Sequence, residues 1–147
     1  MFTSAPSSTV VNIGGGSLTS TAGQDLIAYC FHSVEGYSKV GSYVGNASAD
    51  GTFVHTGFRP QWIVIKKINA AGQNWTTFDS SRDTINPVDK RLWLNLGSDE
   101  SAYTDTKLDF LSNGFKLRGN YDSINGSGST YIYLAFADQP FKFANAR

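Results

Sequence analysis

The sequence predicts an all-β fold, an antiparallel β-sandwich of the jelly-roll or concanavalin-like kind with long polar loops. Aromatic residues make up 14% of the 147 residues and charged residues only 16%, a balance typical of sheet proteins rich in turns. Short apolar runs recur along the chain and are separated by turn dipeptides such as Asp50-Gly51 and Asn113-Gly114. No segment carries the sustained apolar period of an amphipathic helix.

Each predicted strand is an apolar or β-branched run that ends at a turn signal. In chain order the strands are residues 9–13, 26–32, 38–44, 52–55, 61–68, 75–79, 91–96, 107–111, 115–118 and 130–137. The run 61–68 is nearly continuous in its apolar part, which predicts a central strand covered on both faces. Alternating apolar residues on either side of Asn113-Gly114 predict a hairpin. Residues 83–89, around Pro87, are the expected place for one short helical turn.

Two blocks of the chain, residues 7–31 and 112–136, align without a gap. The alignment pairs Gly14 with Gly119 and Gly23 with Gly128, and each block contains two apolar runs around a glycine- and serine-rich turn. A repeated unit is typical of modular arrays. We therefore expect residues 1–24 to be an N-terminal extension or hairpin, the closing strands of a preceding repeat, and residues 25–147 to be the sandwich domain. The alternative is a chance alignment of two similar hairpins.

Charge and composition exclude several partners. The 12 basic and 12 acidic residues cancel, so neither nucleic acid nor an anionic membrane is an expected partner. The N-terminal residues lack the basic and apolar regions of a signal peptide, and no apolar run approaches the ~20 residues of a membrane span. We expect synthesis in the cytoplasm. Cys30 lies in an apolar run and is expected to be a small buried hydrophobe.

The residues needed for catalysis or metal binding are scarce. His32 and His55 are the two histidines, and neither lies near a nucleophile elbow. Together with one cysteine they do not make a zinc site. The segment 46–57 resembles half of a calcium loop, but Gly57 stands where a bidentate glutamate is needed. We expect no metal, no cofactor and no catalytic residue.

Binding residues are expected on the polar loops, because loops on a rigid sandwich commonly carry function. Trp75, Trp93 and Tyr103 would offer flat faces to a sugar ring or a protein partner. The segment 79–86 contributes polar side chains without an evident turn role. The candidate ligand or partner residues are Trp75, Asp79, Arg82, Asp83, Asn86, Trp93 and Tyr103. The alternative is that the aromatic residues are ordinary core or loop anchors and that the loop aspartates stabilise turns or form exposed ion pairs with a neighbour such as Arg82.

Several stretches also carry a family resemblance. These are residues 41–46, 50–60, 109–118 and 130–142, together with the motif Asp79-x-x-Arg82-Asp83-x-x-Asn86-Pro87. Here the sequence resembles an uncharacterised β-rich domain that is repeated in structural and tail proteins of marine tailed bacteriophages. The resemblance extends from about residue 25 to the C-terminus. It assigns no catalytic residue, because that family has no established activity.

The resemblance implies a non-enzymatic virion protein, either a tail or fibre domain or a capsid-decoration protein. Its expected partners are other virion proteins or copies of itself in a homo-oligomer, with host-surface glycans as a further partner. One alternative is a lectin-like β-sandwich that binds glycans through its aromatic residues. Another is a glycoside hydrolase that uses two of the loop carboxylates, such as Asp79 and Asp83.

Overall fold

Nine strands and one helical turn are formed by the part of the chain that this computed structural model describes, residues 7–16, 22–23 and 25–138. The strands are β1 (Ser38–Val44), β2 (Phe53–His55), β3 (Pro60–Lys67), β4 (Thr76–Asp79), β5 (Lys90–Trp93), β6 (Ser101–Ala102), β7 (Leu108–Leu111), β8 (Gly114–Leu117) and β9 (Thr130–Ala137), and the helical turn is α1 (Asp122–Asn125). By their contacts the residues divide into two units, Met1–Cys30 and Phe31–Arg147. The named strands all belong to the second unit.

The strands form two antiparallel sheets, which confirms the predicted all-β sandwich. The larger sheet has the order β1-β9-β3-β4-β5-β6, and the smaller has the order β2-β8-β7. Aromatic side chains join the two sheets in one core. The ring of Phe115 in β8 lies edge-on to Tyr43 in β1 at 6.1 Å and to Tyr133 in β9 at 5.4 Å. Edge-to-face packing at these distances is the favoured arrangement of aromatic rings.

The central position of β3 agrees with its apolar sequence. It pairs with β9 on one side and with β4 on the other. Ile63 and Ile65 are fully enclosed, and Val64, which points to the opposite face, is only 6% exposed. The central position is confirmed, but the second face is covered only in part, because Trp62 and Lys66, which flank Val64 on that face, are partly exposed.

The hairpin predicted at Asn113-Gly114 is formed by β7 and β8. Leu111 pairs with Gly114, so the turn residues are Ser112 and Asn113. Gly114 itself lies in β8, and a Cβ there would collide with the carbonyl oxygen of Val54 in β2. The glycine is therefore required by close backbone approach rather than by turn conformation.

The predicted strands at residues 9–13 and 26–32 are not formed, and Cys30 is exposed rather than buried. Leu26, Ile27 and Tyr29 are 55%, 80% and 79% exposed. The run 26–32 is apolar on both of its faces, so as a strand it would need a pairing partner and cover on each side. Within the described residues β9 already occupies the central position next to β3, and no strand pairs with this run.

The two aligned blocks also differ from the expected pair of hairpins. In the second block, β8 lies in the smaller sheet and β9 in the larger, and α1 lies between them in the chain. The expected helical turn at residues 83–89 is likewise wrong, and the helical turn is found at Asp122–Asn125 instead. Hydrogen bonds made by the side chains of Asp83 and Asn86 hold residues 83–89 in a non-helical conformation.

The turn α1 is held by side chains from outside it. Tyr121 stands at its N-cap position and makes no side-chain capping bond. The hydroxyl of Tyr43 donates to the carbonyl of Ile124 at 2.6 Å, and the hydroxyl of Tyr131 donates to the carbonyl of Asp122 at 2.6 Å. Orphan carbonyls at a helix end need such partners.

Asn125, at the end of α1, is fully enclosed and links three segments. Its amide nitrogen donates to the carbonyl oxygens of Ser48 and Gly119, both at 2.9 Å, and to the side-chain oxygen of Asn46 at 3.2 Å. Its amide oxygen accepts from the backbone N–H of Asn46 at 2.9 Å. This side chain fixes the loops at one end of the sandwich.

Candidate functional site

The carboxylates of the predicted loop site brace the backbone. One oxygen of Asp79, at the end of β4, accepts from the backbone N–H of Ser81 at 2.7 Å. One oxygen of Asp83 accepts from the N–H groups of Asp89 and Lys90 at 2.7 and 3.1 Å. Short polar side chains commonly stabilise turns in this way.

Asn86 has a similar structural role. Its side chain donates to the carbonyl of Phe110 at 2.9 Å and accepts from the Phe110 N–H at 3.0 Å. The amide thus bonds to the edge of β7 as a neighbouring strand would. These bonds, with those of Asp83, explain why residues 83–89 do not form a helical turn.

Arg82 connects the two long loops. Its guanidinium pairs with the carboxylate of Glu100 and lies 3.9 Å from a carboxylate oxygen of Asp79. The three side chains are between about one quarter and two fifths exposed, so solvent screens these ion pairs. Their main effect is to set the position of residues 97–106 relative to residues 79–86.

The three predicted aromatic residues do not form one surface. Trp75 is 40% exposed, and the ammonium of Lys66 lies 5.7 Å from its ring centre. Trp93 and Tyr103 instead pack on Arg91, with ring centres 4.5 and 3.4 Å from its guanidinium carbon. The structure therefore brings together Trp93 and Tyr103 and leaves Trp75 in a different environment.

Arg91 is the centre of this arrangement, which we call the Arg91 cluster: Arg91, Trp93, Tyr103 and Tyr121. Arg91 and Trp93 alternate along β5, so they share one face of the strand. Strand β6 pairs with β5, with Ser101 opposite Arg91, and Tyr103 follows directly after β6. The ring of Tyr121, which precedes α1, lies 5.0 Å from the guanidinium carbon.

The guanidinium of Arg91 is deeply buried for a charged group, since the residue is only 4% exposed. Its Nη1 donates to the hydroxyl of Thr106 at 2.6 Å. Among the described residues, no ion pair includes Arg91. The aromatic faces compensate part of the cost of burying the charge, because each ring attracts a cation through its quadrupole.

Two buried hydrogen-bond donors in the cluster have no acceptor among the described residues. Within the described part of the chain, the Nε–H of Arg91 and the Nε1–H of Trp93 have no hydrogen-bond partner. Leaving a buried donor unpaired costs about 1–3 kcal/mol. Such groups are uncommon in folded proteins, and each one calls for an explanation.

Both residues line a hollow of about 250 Å³. The other lining residues are Ser98, Asp99, Ser101 and Tyr103. The pKa of the Tyr103 hydroxyl lies below its ordinary value, and hydrogen bonding to Arg91 is the largest cause, followed by hydrogen bonding to Ser101. The neighbourhood of the Arg91 guanidinium thus favours the ionised form of the Tyr103 hydroxyl.

The sequence interpretation included Trp93 and Tyr103 but missed Arg91. A signal for it was present, because Arg91 and Trp93 alternate within a predicted strand and therefore share a face. The contribution of Tyr103 and Tyr121 depends on the tertiary fold. These residues lie far from Arg91 in the chain.

A second hollow, of about 400 Å³, includes Glu35 and His55 among its lining residues. Two hydroxyls that line it are already committed to the backbone. Ser38 donates to the carbonyl of His32 at 2.9 Å, and Thr56 donates to the carbonyl of Phe58 at 2.6 Å. Neither hydroxyl is held by His55 in the manner of an activated nucleophile.

No group of three or more His, Cys, Asp or Glu side chains among the described residues is placed to hold a metal ion. No helix in residues 7–16, 22–23 and 25–138 is both long and apolar enough to cross a membrane.

The fold and the Arg91 cluster define a β-sandwich domain with a small aromatic and polar hollow at the side of its larger sheet. The chain belongs to the family described as a domain of unknown function, DUF7483, whose model matches residues 1–140. No curated protein and no solved structure matches the chain. The family description names neither an activity nor a source, so the virion setting stays a prediction.

Proposed function

We propose that this domain is a non-enzymatic structural module that assembles with copies of itself through the exposed segment 26–31. The observation that carries the proposal is the exposure of this apolar run. Ile27 and Tyr29 are 80% and 79% exposed, and Leu26 and Phe31 are 55% and 56% exposed. Exposed apolar side chains that are grouped in this way mark an interaction site more often than scattered ones do.

The backbone of the segment supports association by strand addition. Residues 25–31 have no strand partner among the described residues, and in this proposal a second chain pairs with their backbone. An extended segment that adds to a sheet edge gains main-chain hydrogen bonds, and its side chains gain cover. A head-to-tail arrangement of this kind gives rings or filaments, whereas a reciprocal exchange gives a dimer.

The loop carboxylates support the non-enzymatic part of the proposal. The carboxylates of Asp79 and Asp83 accept backbone N–H groups, and Arg118 binds Asp109 at 2.5 Å. Glycoside hydrolysis requires a pair of carboxyl groups that face a substrate. These three groups are occupied in holding loops and strands together.

The virion setting of the module rests on the resemblance of residues 25–147 to the bacteriophage domains. Detection of the protein in purified particles by mass spectrometry tests that setting. Absence from the particles would remove the virion setting and leave self-assembly to be judged by the oligomeric state.

Light scattering after size-exclusion chromatography tests the assembly. Burial of a side chain of this size is worth about 2 kcal/mol, so Ile27→Glu is expected to weaken association at least about thirtyfold. Ile85→Glu is the matched control, because Ile85 is 77% exposed and lies on another loop. A monomeric wild-type protein over the whole concentration series, or equal effects of the two variants, would contradict the proposal.

A further inference from the structure

The Arg91 cluster contains buried hydrogen-bond donors without partners in the described part of the chain, and self-assembly through residues 26–31 does not supply acceptors for them. Arg91 and Trp93 line the same hollow, and each has a buried N–H without a partner among the described residues. Buried donors in native proteins are almost always satisfied by protein, water or ligand. Two unpaired donors beside one hollow indicate a ligand that accepts hydrogen bonds there.

The charge of the site indicates what kind of acceptor fits. Arg91 is 4% exposed and belongs to no ion pair in the described part of the chain. A guanidinium matches a carboxylate in shape and charge, and the hydrogen bonds between them are about twice as strong as neutral ones. Hydrogen bonding to Arg91 also lowers the pKa of Tyr103, which agrees with a preference for negative charge next to the guanidinium.

The remaining lining residues indicate that the ligand also carries hydroxyl groups. Asp99 lines the hollow and would repel a bare anion, but its carboxylate accepts hydrogen bonds from hydroxyl donors. Ser98 and Ser101 add hydroxyls that both donate and accept. Trp93 and Tyr103 supply aromatic walls for the apolar face of a ring.

We propose that the hollow binds one acidic sugar residue, a hydroxylated ring that carries a carboxylate. Arg91 and Trp93 donate to the carboxylate, and Asp99 accepts from the ring hydroxyls. The volume of about 250 Å³ lies near the lower end of ligand sites, which begin at about 300 Å³, and therefore suits a single ring. Both donor atoms lie beneath the surface of the hollow, so binding of the carboxylate requires the side chains that line it to shift.

Isothermal titration calorimetry with D-glucuronate, D-glucose and acetate tests the proposal on the full chain. Glucose lacks the carboxylate, and acetate lacks the ring and its hydroxyls. We expect saturable binding of glucuronate with a dissociation constant on the order of 1 mM, and at least about tenfold weaker binding of the other two. No saturable binding of glucuronate, or equal binding of either comparison ligand, would overturn it.

Two variants identify the donors. Trp93→Phe keeps an aromatic ring and removes the N–H, and Arg91→Lys keeps the charge and removes the fork of donors. Each is expected to weaken glucuronate binding about tenfold, whereas Trp75→Phe, the control, leaves it unchanged. Circular dichroism establishes that each variant is folded before titration. If Arg91→Lys does not fold, the test rests on Trp93→Phe alone. Unchanged affinity of that variant for glucuronate would contradict the assignment of the Trp93 N–H as a donor. The oligomeric state is measured separately, so failure here is distinct from failure of the assembly proposal.

Discussion

Asn125→Asp is expected to destabilise the fold strongly, and more at neutral than at acid pH. The replacement keeps the oxygen that accepts from Asn46 N–H but removes the amide donors to Ser48, Gly119 and Asn46. At about pH 4 the buried acid is neutral and donates once, so two bonds are lost, at a cost of about 2 kcal/mol. As the pH rises, the carboxyl group must ionise beside three oxygen atoms or hold a proton.

The pH dependence follows from the sign of the pKa shift. Burial raises the pKa of the introduced carboxyl group in the folded state. The variant therefore keeps its stability below the unfolded pKa of about 4, where the group is neutral in both states, and loses stability as the pH rises towards the folded pKa. A rise of about three pKa units costs about 4 kcal/mol more. The total loss at pH 7 is then about 6 kcal/mol, comparable to the entire stability of many domains.

Urea denaturation followed by tryptophan fluorescence at about pH 4 and pH 7 measures the effect. Each value is compared with the wild-type protein at the same pH. Asn113→Asp is the control, because Asn113 is exposed and the change is expected to cost less than about 0.5 kcal/mol. A loss below about 1 kcal/mol at pH 7, or equal losses at both pH values, would refute the role assigned to Asn125.

Two further predictions concern packing and tyrosine ionisation. Gly114→Ala should lower the free energy of unfolding by about 1–3 kcal/mol, because the added Cβ would collide with the Val54 carbonyl. Thermal denaturation measures the loss. Gly97→Ala is the control and should leave stability unchanged, because nothing lies within 4 Å of a Cβ at that position. In an alkaline absorbance titration, Tyr103 should ionise early and Tyr43 last, because Arg91 lowers the pKa of Tyr103 and burial raises that of Tyr43. Below the unfolded pKa of about 10, Tyr43 is neutral in both states, so the folded state keeps its full stability. Above that pH the unfolded chain ionises more readily, and the free energy of unfolding falls. We therefore expect the protein to unfold before Tyr43 ionises in the folded state. An unshifted first ionisation after Tyr103→Phe would count against the assignment.

The sequence predicted best two strands that are bounded by turn residues. The predicted bounds of β1 and β9 are the observed ones, Ser38–Val44 and Thr130–Ala137. Residues 26–32 were predicted as a strand because they are apolar, but apolarity alone does not supply a pairing partner. Strand β6 has two residues, too few for a periodic pattern, and it forms only because β5 lies beside it.

The candidate site was only partly visible in the sequence. Polar residues at 79–86 were interpreted as free for binding, but Asp83 and Asn86 bond the backbone of their own domain. Which groups a side chain reaches depends on neighbours that are distant in sequence. Arg91 shows the same dependence, because only the folded chain places Tyr103 and Tyr121 against its guanidinium.

The tyrosine hydroxyls that hold α1 have a consequence for how the protein opens. A helix of four residues is far too short to persist alone in water, so α1 exists only while Tyr43 and Tyr131 remain in the sheet. The amide protons of Ile124 and Asn125, which bond to the carbonyl of Tyr121, should therefore exchange with solvent only in the same event that exposes the core. These two residues would then belong to the slowest-exchanging part of the molecule, although their sequence is typical of a surface loop.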